Sequence, residues 1–127
     1  MSKQKAKGTH FETNILMYIK GRLALAGRGQ DMMHREVLHG SADRGDISGL
    51  KIGPYPVVIE CKNYSGTSRM PEWLRELRAE MENAHTILGA VVSKRKGVGD
   101  ARTGEQLVSM TLDDFMCLYL EATREKR

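Results

Sequence analysis

Hydrophobic residues recur every three or four positions in three stretches of the chain, residues 9–26, 71–85 and 113–125. This spacing predicts three helices, each with one buried face. The second helix is predicted to bury Leu74, Leu77 and Met81, and the third Phe115, Leu118, Tyr119 and Ala122. The charged residues of the second helix, Glu76 and Glu80 among them, are predicted to lie on its other faces.

Short apolar and β-branched runs predict four strands, over residues 32–38, 57–62, 87–93 and 106–111. Residues 39–49, rich in glycine and aspartate, are predicted to form turns. A helix connects the second and third strands, and such a crossover requires part of the sheet to be parallel. The predicted fold is α/β, with a central mixed β-sheet flanked by helices, in a single domain over residues 9–127. A basic, flexible tail is predicted at residues 1–8.

The composition favours an anionic partner and excludes little else. The chain has 127 residues, a formal net charge of +4 and a pI of about 9.2, which suit nucleic acid but also many other proteins. Aromatic residues, at 6%, are too few for an extended base-stacking surface. Cys61 and Cys117 are expected to be buried free thiols. No apolar run approaches the ~20 residues of a membrane helix, so we expect an intracellular protein.

The strongest chemical signal lies on the strand predicted over residues 57–62 (VVIECK). Alternate side chains share a face, so Val58, Glu60 and Lys62 point together while Cys61 points to the other side. A carboxylate and an ammonium then project from an otherwise apolar strand, where burial of charge without a purpose is costly. An E-x-K pair on an exposed edge strand is, by contrast, usually only a solvated ion pair.

A second carboxylate, Asp46, lies fourteen positions before Glu60. A hairpin through residues 53–56 would bring the two side by side, and close carboxylates repel unless a proton or a cation lies between them. Mg²⁺ is the expected cation, with Mn²⁺ as a substitute, because it binds a few carboxylates and retains waters. Such a metal polarises a phosphate, and Lys62 would orient the attacking water or neutralise developing charge. Alone, a Gly-Asp dipeptide is usually a turn.

The order and spacing of these residues resemble the PD-(D/E)XK nuclease superfamily, in which an Asp and a Glu-x-Lys form the metal site. A longer pattern is similar to the archaeal-type Holliday junction resolvases, and it comprises Gly8-x-x-x-Glu12, Arg35, Gly40-Ser41, Asp46, Glu60 and Lys62. The segments HGSADRGDISG and VIECKN are especially similar to resolvase-like nucleases of actinobacteria and their phages. Gly45 occupies the position of the proline in the superfamily's name.

The resemblance implies a restriction-endonuclease-like fold and a particular set of metal ligands. Asp46 and Glu60 would bind Mg²⁺, with the backbone carbonyl of Cys61 as a third ligand. Lys62 would activate or position the attacking water. Glu12 would complete the acidic cluster, directly or through water. A competing, purely local role for Glu12 is that of capping-box partner to the residue three positions earlier, at the start of the first helix.

Eight residues are candidates for contact with DNA phosphates. They are Arg35, Ser41, Arg44, Arg69, Lys94, Arg95, Lys96 and Arg102. For Arg35 and Ser41, the resemblance implies either contact with the substrate phosphate or support of the site. A merely solvent-exposed basic loop is the alternative for the last four. Trp73 is expected to pack in the core rather than to stack on a base.

The leading hypothesis is a metal-dependent DNA endonuclease, most specifically a Holliday junction resolvase acting in recombination or repair in a bacterial or phage-infected cell. Two symmetric cuts require two active sites, so we expect a homodimer. The last helix is the predicted dimer face, since Met116, Leu118, Tyr119 and Leu120 are apolar on more than one side. Alternatives are the same chemistry on flaps, ends or duplex DNA, and a non-catalytic nucleic-acid-binding module.

Overall fold

The computed structural model describes residues 3–36, 42–64 and 66–125. The elements in these ranges are α1 (Lys3–Leu25), β1 (His34–Arg35), β2 (Ile47–Ser48), β3 (Lys51–Ile52), β4 (Tyr55–Lys62), α2 (Met70–Asn83), β5 (Leu88–Ser93), a 3₁₀ helix (Asp100–Glu105), β6 (Leu107–Ser109) and α3 (Leu112–Ala122). Every predicted helix and strand has a counterpart. β2 and β3 were not predicted, and β2 lies within the segment expected to form turns.

The strands form one mixed sheet. Five of them lie side by side in the order β1-β2-β4-β5-β6, and β3 pairs with the start of β4. β4 and β5 run parallel, with Glu60 opposite Val91, as a crossover through α2 requires. The other pairs are antiparallel. The predicted α/β class, with a mixed sheet flanked by helices, is confirmed.

The two faces of β4 are covered by different helices. Ile59 is buried with residues of α1, and Cys61 packs against the same cluster. Val58, on the other face, is buried with Trp73 and Leu77 of α2. The alternation predicted from the sequence is therefore confirmed, and it turns the even-numbered side chains of β4 towards α2. Trp73 is part of this core, as expected.

α1 begins at Lys3, earlier than the predicted start at Thr9. Thr9 therefore lies inside the helix, and its carbonyl oxygen accepts a hydrogen bond from Thr13 Oγ1 at 3.0 Å. The capping-box pattern does not mark the helix start, and residues 3–8 belong to the helix instead of preceding it as a tail. The lysines, glutamine and alanine of this segment have good helix propensity, and a single glycine at position 8 costs only ~1 kcal/mol.

α3 presents its apolar side chains to solvent, opposite to the predicted orientation. Its one buried residue is Asp114, which accepts a hydrogen bond from Arg78 of α2 at 2.6 Å. The exposed apolar residues of the helix are Leu112, Phe115, Met116, Tyr119 and Leu120. The prediction that Phe115, Tyr119 and Ala122 face inward is wrong, because the side of α3 that faces the domain carries Asp114. Leu118, also predicted to face inward, is partly buried.

Gly49→Ala should destabilise the protein by about 2–4 kcal/mol. Gly49 has a φ of +109°, and an added Cβ would overlap the carbonyl oxygen of Met32 and lie 2.7 Å from Met33 Cα. Urea unfolding measures the effect. Gly29→Ala is the matched control, since nothing lies within 4 Å of a Cβ at that position. Equal unfolding midpoints for the two variants would contradict this close backbone contact.

Candidate metal centre

Asp46 and Glu60 are held beside each other by the pairing of β2 with β4. The Asp46 N–H donates to the carbonyl oxygen of Ile59 at 2.8 Å, and Asp46 Oδ2 accepts from the Cys61 N–H at 2.7 Å. The Asp46 and Glu60 side chains are close enough to share a hydrogen bond. The hairpin expected through residues 53–56 is formed by β3 and β4. The predicted approach of the two carboxylates is therefore confirmed.

Gly45 shapes the backbone immediately before Asp46. Its φ of +100° lies in the left-handed region, which proline, fixed near −65°, cannot adopt. A Cβ at this position would also lie 2.8 Å from Val58 Cγ1 and 3.1 Å from the carbonyl oxygen of Ile59. Where the superfamily's name has a proline, this backbone requires a glycine.

α2 adds two carboxylates that were predicted to lie on its outer faces. Glu80 is only 5% exposed, and one of its carboxylate oxygens lies within 4.8 Å of one from Glu60. Glu76 accepts a hydrogen bond from Lys62 Nζ. Four residues of a helix rise ~6 Å, and two residues of a strand span ~6.6 Å. An α2 that runs antiparallel to β4 therefore places Glu80 opposite Glu60 and Glu76 opposite Lys62.

The sequence contains a pattern that indicates burial of Glu80, although this residue was predicted to lie on an outer face of α2. The buried residues of α2 are Trp73, Leu77, Glu80 and Met81. These positions form one helical stripe, with Glu80 three residues after Leu77. Glutamate is almost never fully buried unless it is paired, so its place on an apolar stripe indicates a specific partner.

Asp43 completes an acidic group on the α2 side of Glu60. One carboxylate oxygen from each of Asp43, Glu60 and Glu80 lies within 4.8 Å of the others. It is the one group of this kind among the residues that the structure describes. Asp43 Oδ1 also accepts a hydrogen bond from the Gly45 N–H at 2.9 Å, which fixes this carboxylate against the turn that precedes Asp46. Neither Asp43 nor Glu80 was a predicted ligand.

Glu12 approaches the same centre from α1. It is close enough to Asp46 to share a hydrogen bond. Arg35 donates to Glu12 Oε2 from Nε at 3.1 Å and from Nη2 at 2.8 Å. The capping role for Glu12 is wrong, because Thr9 lies inside the helix. Of the two roles expected for Arg35, phosphate contact and support of the site, these hydrogen bonds favour the second.

Burial and mutual repulsion raise the pKa of the three central carboxyl groups. Burial, together with the hydrogen bond and charge of Glu60, raises the pKa of Asp46 to about 8. Burial raises the pKa of Glu60 to about 8, and the neighbouring Glu80 adds to the effect. Burial, with the charges of Asp43 and Asp46, raises the pKa of Glu80 to about 7. In the absence of a cation, these groups therefore retain protons near neutral pH.

Lys62 remains an ammonium in this environment. Burial lowers the pKa of Lys62, but the hydrogen bond to Glu76 and the charges of Glu60 and Glu76 outweigh that effect and raise it. Lys62 therefore contributes positive charge rather than accepting a proton. Burial and the surrounding carboxylates raise the pKa of the Cys61 thiol well above its usual value, which keeps it neutral. Both cysteines are free, as predicted, although each is only partly buried.

The ligands available at this centre fit a hard divalent cation. All the side-chain atoms that could bind a metal here are carboxylate oxygens, which suit Mg²⁺ and Mn²⁺. Glu80 Oε2 is buried and has no hydrogen-bond partner within the described part of the chain. A buried carboxylate oxygen without a partner is costly, so a proton or a cation is expected to satisfy it.

Three of the candidate phosphate contacts line one cleft. Lys94, Arg95 and Lys96 line a cleft of about 290 Å³ that also includes Ser93 at the end of β5. Arg102 donates to Glu105 at 2.7 and 2.8 Å, so its charge is already compensated.

The remaining candidates contact other parts of the protein. Arg44 lies 3.8 Å from Glu36, and the Arg69 guanidinium lies 5.5 Å from the centre of the Tyr64 ring. Ser41 lies outside the described residues. Among the described candidates, Lys94, Arg95 and Lys96 are therefore the three that line this cleft.

None of the described helices is long and apolar enough to cross a membrane. In comparisons with known proteins, no family model matches the chain, and no match was found among curated proteins or among solved structures. A function for this chain therefore has to be argued from the chemistry of its own site.

Proposed function

We propose that the protein is a metal-dependent DNA endonuclease whose substrate is the four-way junction. The observation that carries this proposal is the convergence of Glu12, Asp46, Glu60 and Lys62 from separate elements of the fold. Carboxylates that fit a hard cation, with an ammonium beside them, are the groups that phosphodiester hydrolysis requires. Their order in the sequence is also that of the nucleases which the chain resembles.

Asp46 and Glu60 would hold the cation, which when bound polarises a phosphate and lowers the pKa of its water. Glu12, fixed by Arg35, adds negative charge beside Asp46 and favours cation binding. Lys62, kept protonated, neutralises charge on the phosphate as a water oxygen adds to phosphorus. The P–O3′ bond then breaks and O3′ takes a proton. The resemblance implies these products, a 5′-phosphate and a 3′-hydroxyl.

The basic cleft supports DNA as the substrate. Lys94, Arg95 and Lys96 line it, and the Lys94 N–H donates to the carbonyl oxygen of Lys62 at 2.9 Å. The cleft therefore adjoins the strand that carries Glu60 and Lys62. A phosphate backbone passing the carboxylates would be positioned to contact these cations, and binding would weaken with increasing salt.

A resolvase needs two sites, so the proposal includes a symmetric dimer. The surface we assign to it is the exposed apolar face of α3, which consists of Leu112, Phe115, Met116, Tyr119 and Leu120. A contiguous apolar stripe that is exposed along a helix marks a protein–protein interaction site. Because the proposed reaction needs two sites related by symmetry, we assign a second copy of the chain as the occupant of this face.

Leu120→Glu should convert the dimer to a monomer. Leu120 is 62% exposed within one chain, so the substitution leaves the fold intact but buries a charge in the interface. Sedimentation velocity measures the change. Leu25→Glu, at an 86% exposed position at the end of α1, should leave the dimer unchanged. A wild-type protein that sediments as a monomer, or a dimeric Leu120→Glu variant, would refute this interface.

The test of the function is Mg²⁺-dependent cleavage of a synthetic four-way junction beside a linear duplex and a flap of matched sequence. We expect paired symmetric nicks in the junction and little cutting of the other two. Equal cutting of all three would reject junction selectivity and retain a nuclease. Binding to DNA without cleavage in Mg²⁺ or Mn²⁺ would reject the enzyme in favour of a nucleic-acid-binding module.

A further inference from the structure

We propose that the centre holds a second divalent cation, bound by Asp43, Glu60 and Glu80 on the side that faces α2. The inference builds on the proposed function, since it extends the site from one cation to two. Cation binding can nevertheless be measured without any cleavage. The geometry of three carboxylates carries it, with one oxygen from each within 4.8 Å of the others.

The group differs from an acidic patch on a surface because its members are buried. Glu60 and Glu80 are each 5% exposed, and Asp43 is partly buried. Glu80 Oε2 has no hydrogen-bond partner within the described residues. Lys62, the nearby ammonium, donates its hydrogen bond to Glu76 instead. A cation is therefore the group that would satisfy the unpaired oxygen and the repulsion together.

The three carboxylates are held in place before any cation binds. The Asp43 carbonyl oxygen accepts from Asn83 Nδ2 at 2.7 Å, which ties the Asp43 turn to the end of α2. Gly45 holds the Asp43 side chain, and α2 carries Glu80 less than one turn before Asn83. Binding would therefore require little rearrangement, which favours affinity.

Glu60 stands between the two proposed cations. Its carboxylate lies beside that of Asp46 and beside that of Glu80. Glu60 would therefore contribute to both cations, which together would stabilise the attacking and the leaving oxygen in phosphodiester hydrolysis. Glu80 would then be a ligand of the second cation that the predicted motif does not contain.

The test is a titration with Mn²⁺ followed by electron paramagnetic resonance, which counts the bound ions per chain. We expect the wild type to bind two ions, and Glu80→Gln to lose at least one of them or to bind it at least tenfold more weakly. Glu72→Gln is the matched control, because Glu72 is exposed on the same helix. Asp43→Asn should reproduce the effect of Glu80→Gln, and circular dichroism establishes that each variant is folded.

Unchanged Mn²⁺ binding by both Glu80→Gln and Asp43→Asn would overturn the second site, as would a wild type that binds no ion at millimolar Mn²⁺. Two other results distinguish failure of the proposed function from failure of the second cation site. A protein that loses an ion in Glu80→Gln but never cleaves DNA retains the cation site and refutes the nuclease. A protein that cleaves junctions but binds Mn²⁺ normally in Glu80→Gln retains the nuclease and refutes the second site.

Discussion

Glu60→Gln is expected to reduce metal-dependent cleavage of a four-way junction at least ~10³-fold, while the protein remains folded and still binds DNA. The Glu60 carboxylate lies beside both Asp46 and Glu80, so it is a ligand of each of the two proposed cations. The amide keeps the size of the side chain and removes that charge. Single-turnover cleavage with Mg²⁺ gives the loss in rate, and a gel-shift assay gives the affinity for the junction.

Glu72→Gln provides the comparison for this variant, because it removes the same charge from an exposed position of α2. Its cleavage rate should remain within about twofold of the wild type, since the altered charge lies away from the carboxylates. Thermal unfolding separates chemistry from folding. Cleavage by a folded Glu60→Gln protein at a rate within tenfold of the wild type would exclude this centre as the active site.

The parts of the site that depend on local geometry could be predicted from the sequence. β4 is a clear strand, and its alternating pattern assigned Glu60 to one face and Cys61 to the other. The turn through residues 53–56 is short, so the approach of Asp46 to Glu60 followed from the hairpin alone. In each case, the chain segment that determines the geometry is shorter than about twenty residues.

The parts that depend on how distant elements meet could not be predicted in the same way. Glu80 faces Glu60 only because α2 crosses β4 in one particular register, which hydrophobic periodicity does not specify. The resemblance implies that Arg35 contacts a phosphate or supports the site, and only the folded chain shows its partner, Glu12, twenty-three residues away. Both cases involve a charged residue whose partner becomes visible only in the folded chain.

α3 shows a related limit of the hydrophobic pattern. Its apolar stripe was correctly identified as a stripe, and the assumption that this chain covers it was wrong. Periodicity indicates which face of a helix avoids water, but it does not indicate whether the cover comes from the same chain or from another one. Buried Asp114, bound to Arg78, is the residue that shows which side of α3 faces the domain.

Without a divalent cation, the protein is expected to lose stability as the pH rises from 5.5 to 8.5. The pKa values of Asp46 and Glu60 are raised to about 8 and that of Glu80 to about 7, whereas unfolded carboxyl groups titrate near 4. The folded state then binds more protons than the unfolded state throughout this window. Its stability is greatest at the acidic end and falls as these groups lose their protons.

The size of the effect follows from the number of protons released. A difference of one proton over two pH units corresponds to about 2.7 kcal/mol, which for a domain of this length lowers the melting temperature by roughly 10 °C. His34, whose pKa is raised mainly by its hydrogen bond to the Met32 carbonyl, changes stability in the same direction. His34 lies outside the group of carboxylates, so added cations should change the pH dependence of stability that comes from the carboxyl groups and leave the contribution of His34 unchanged.

Mg²⁺ or Mn²⁺ should restore the lost stability at pH 8.5 and have little effect at pH 5.5, where protons occupy the same oxygens. At a cation concentration one hundred times the dissociation constant, the gain is about 2.7 kcal/mol. Differential scanning fluorimetry across the pH range, with and without cation, measures both the loss of stability with rising pH and the gain from cation binding. A melting temperature that is constant or rises between pH 5.5 and 8.5 without cation would contradict the expected burial of these carboxyl groups.

Glu80→Gln should raise the melting temperature of the cation-free protein and reduce the further increase that a cation produces. Without cation at pH 8.5 the variant should melt above the wild type, because an amide donates a hydrogen bond to Glu60 and adds no charge. With cation it should gain less than the wild type, because a ligand is missing. If Glu80 only supported the fold, its substitution would lower the melting temperature both with and without cation. A higher melting temperature without cation, together with a smaller increase on adding cation, would identify Glu80 as a cation ligand that destabilises the cation-free fold.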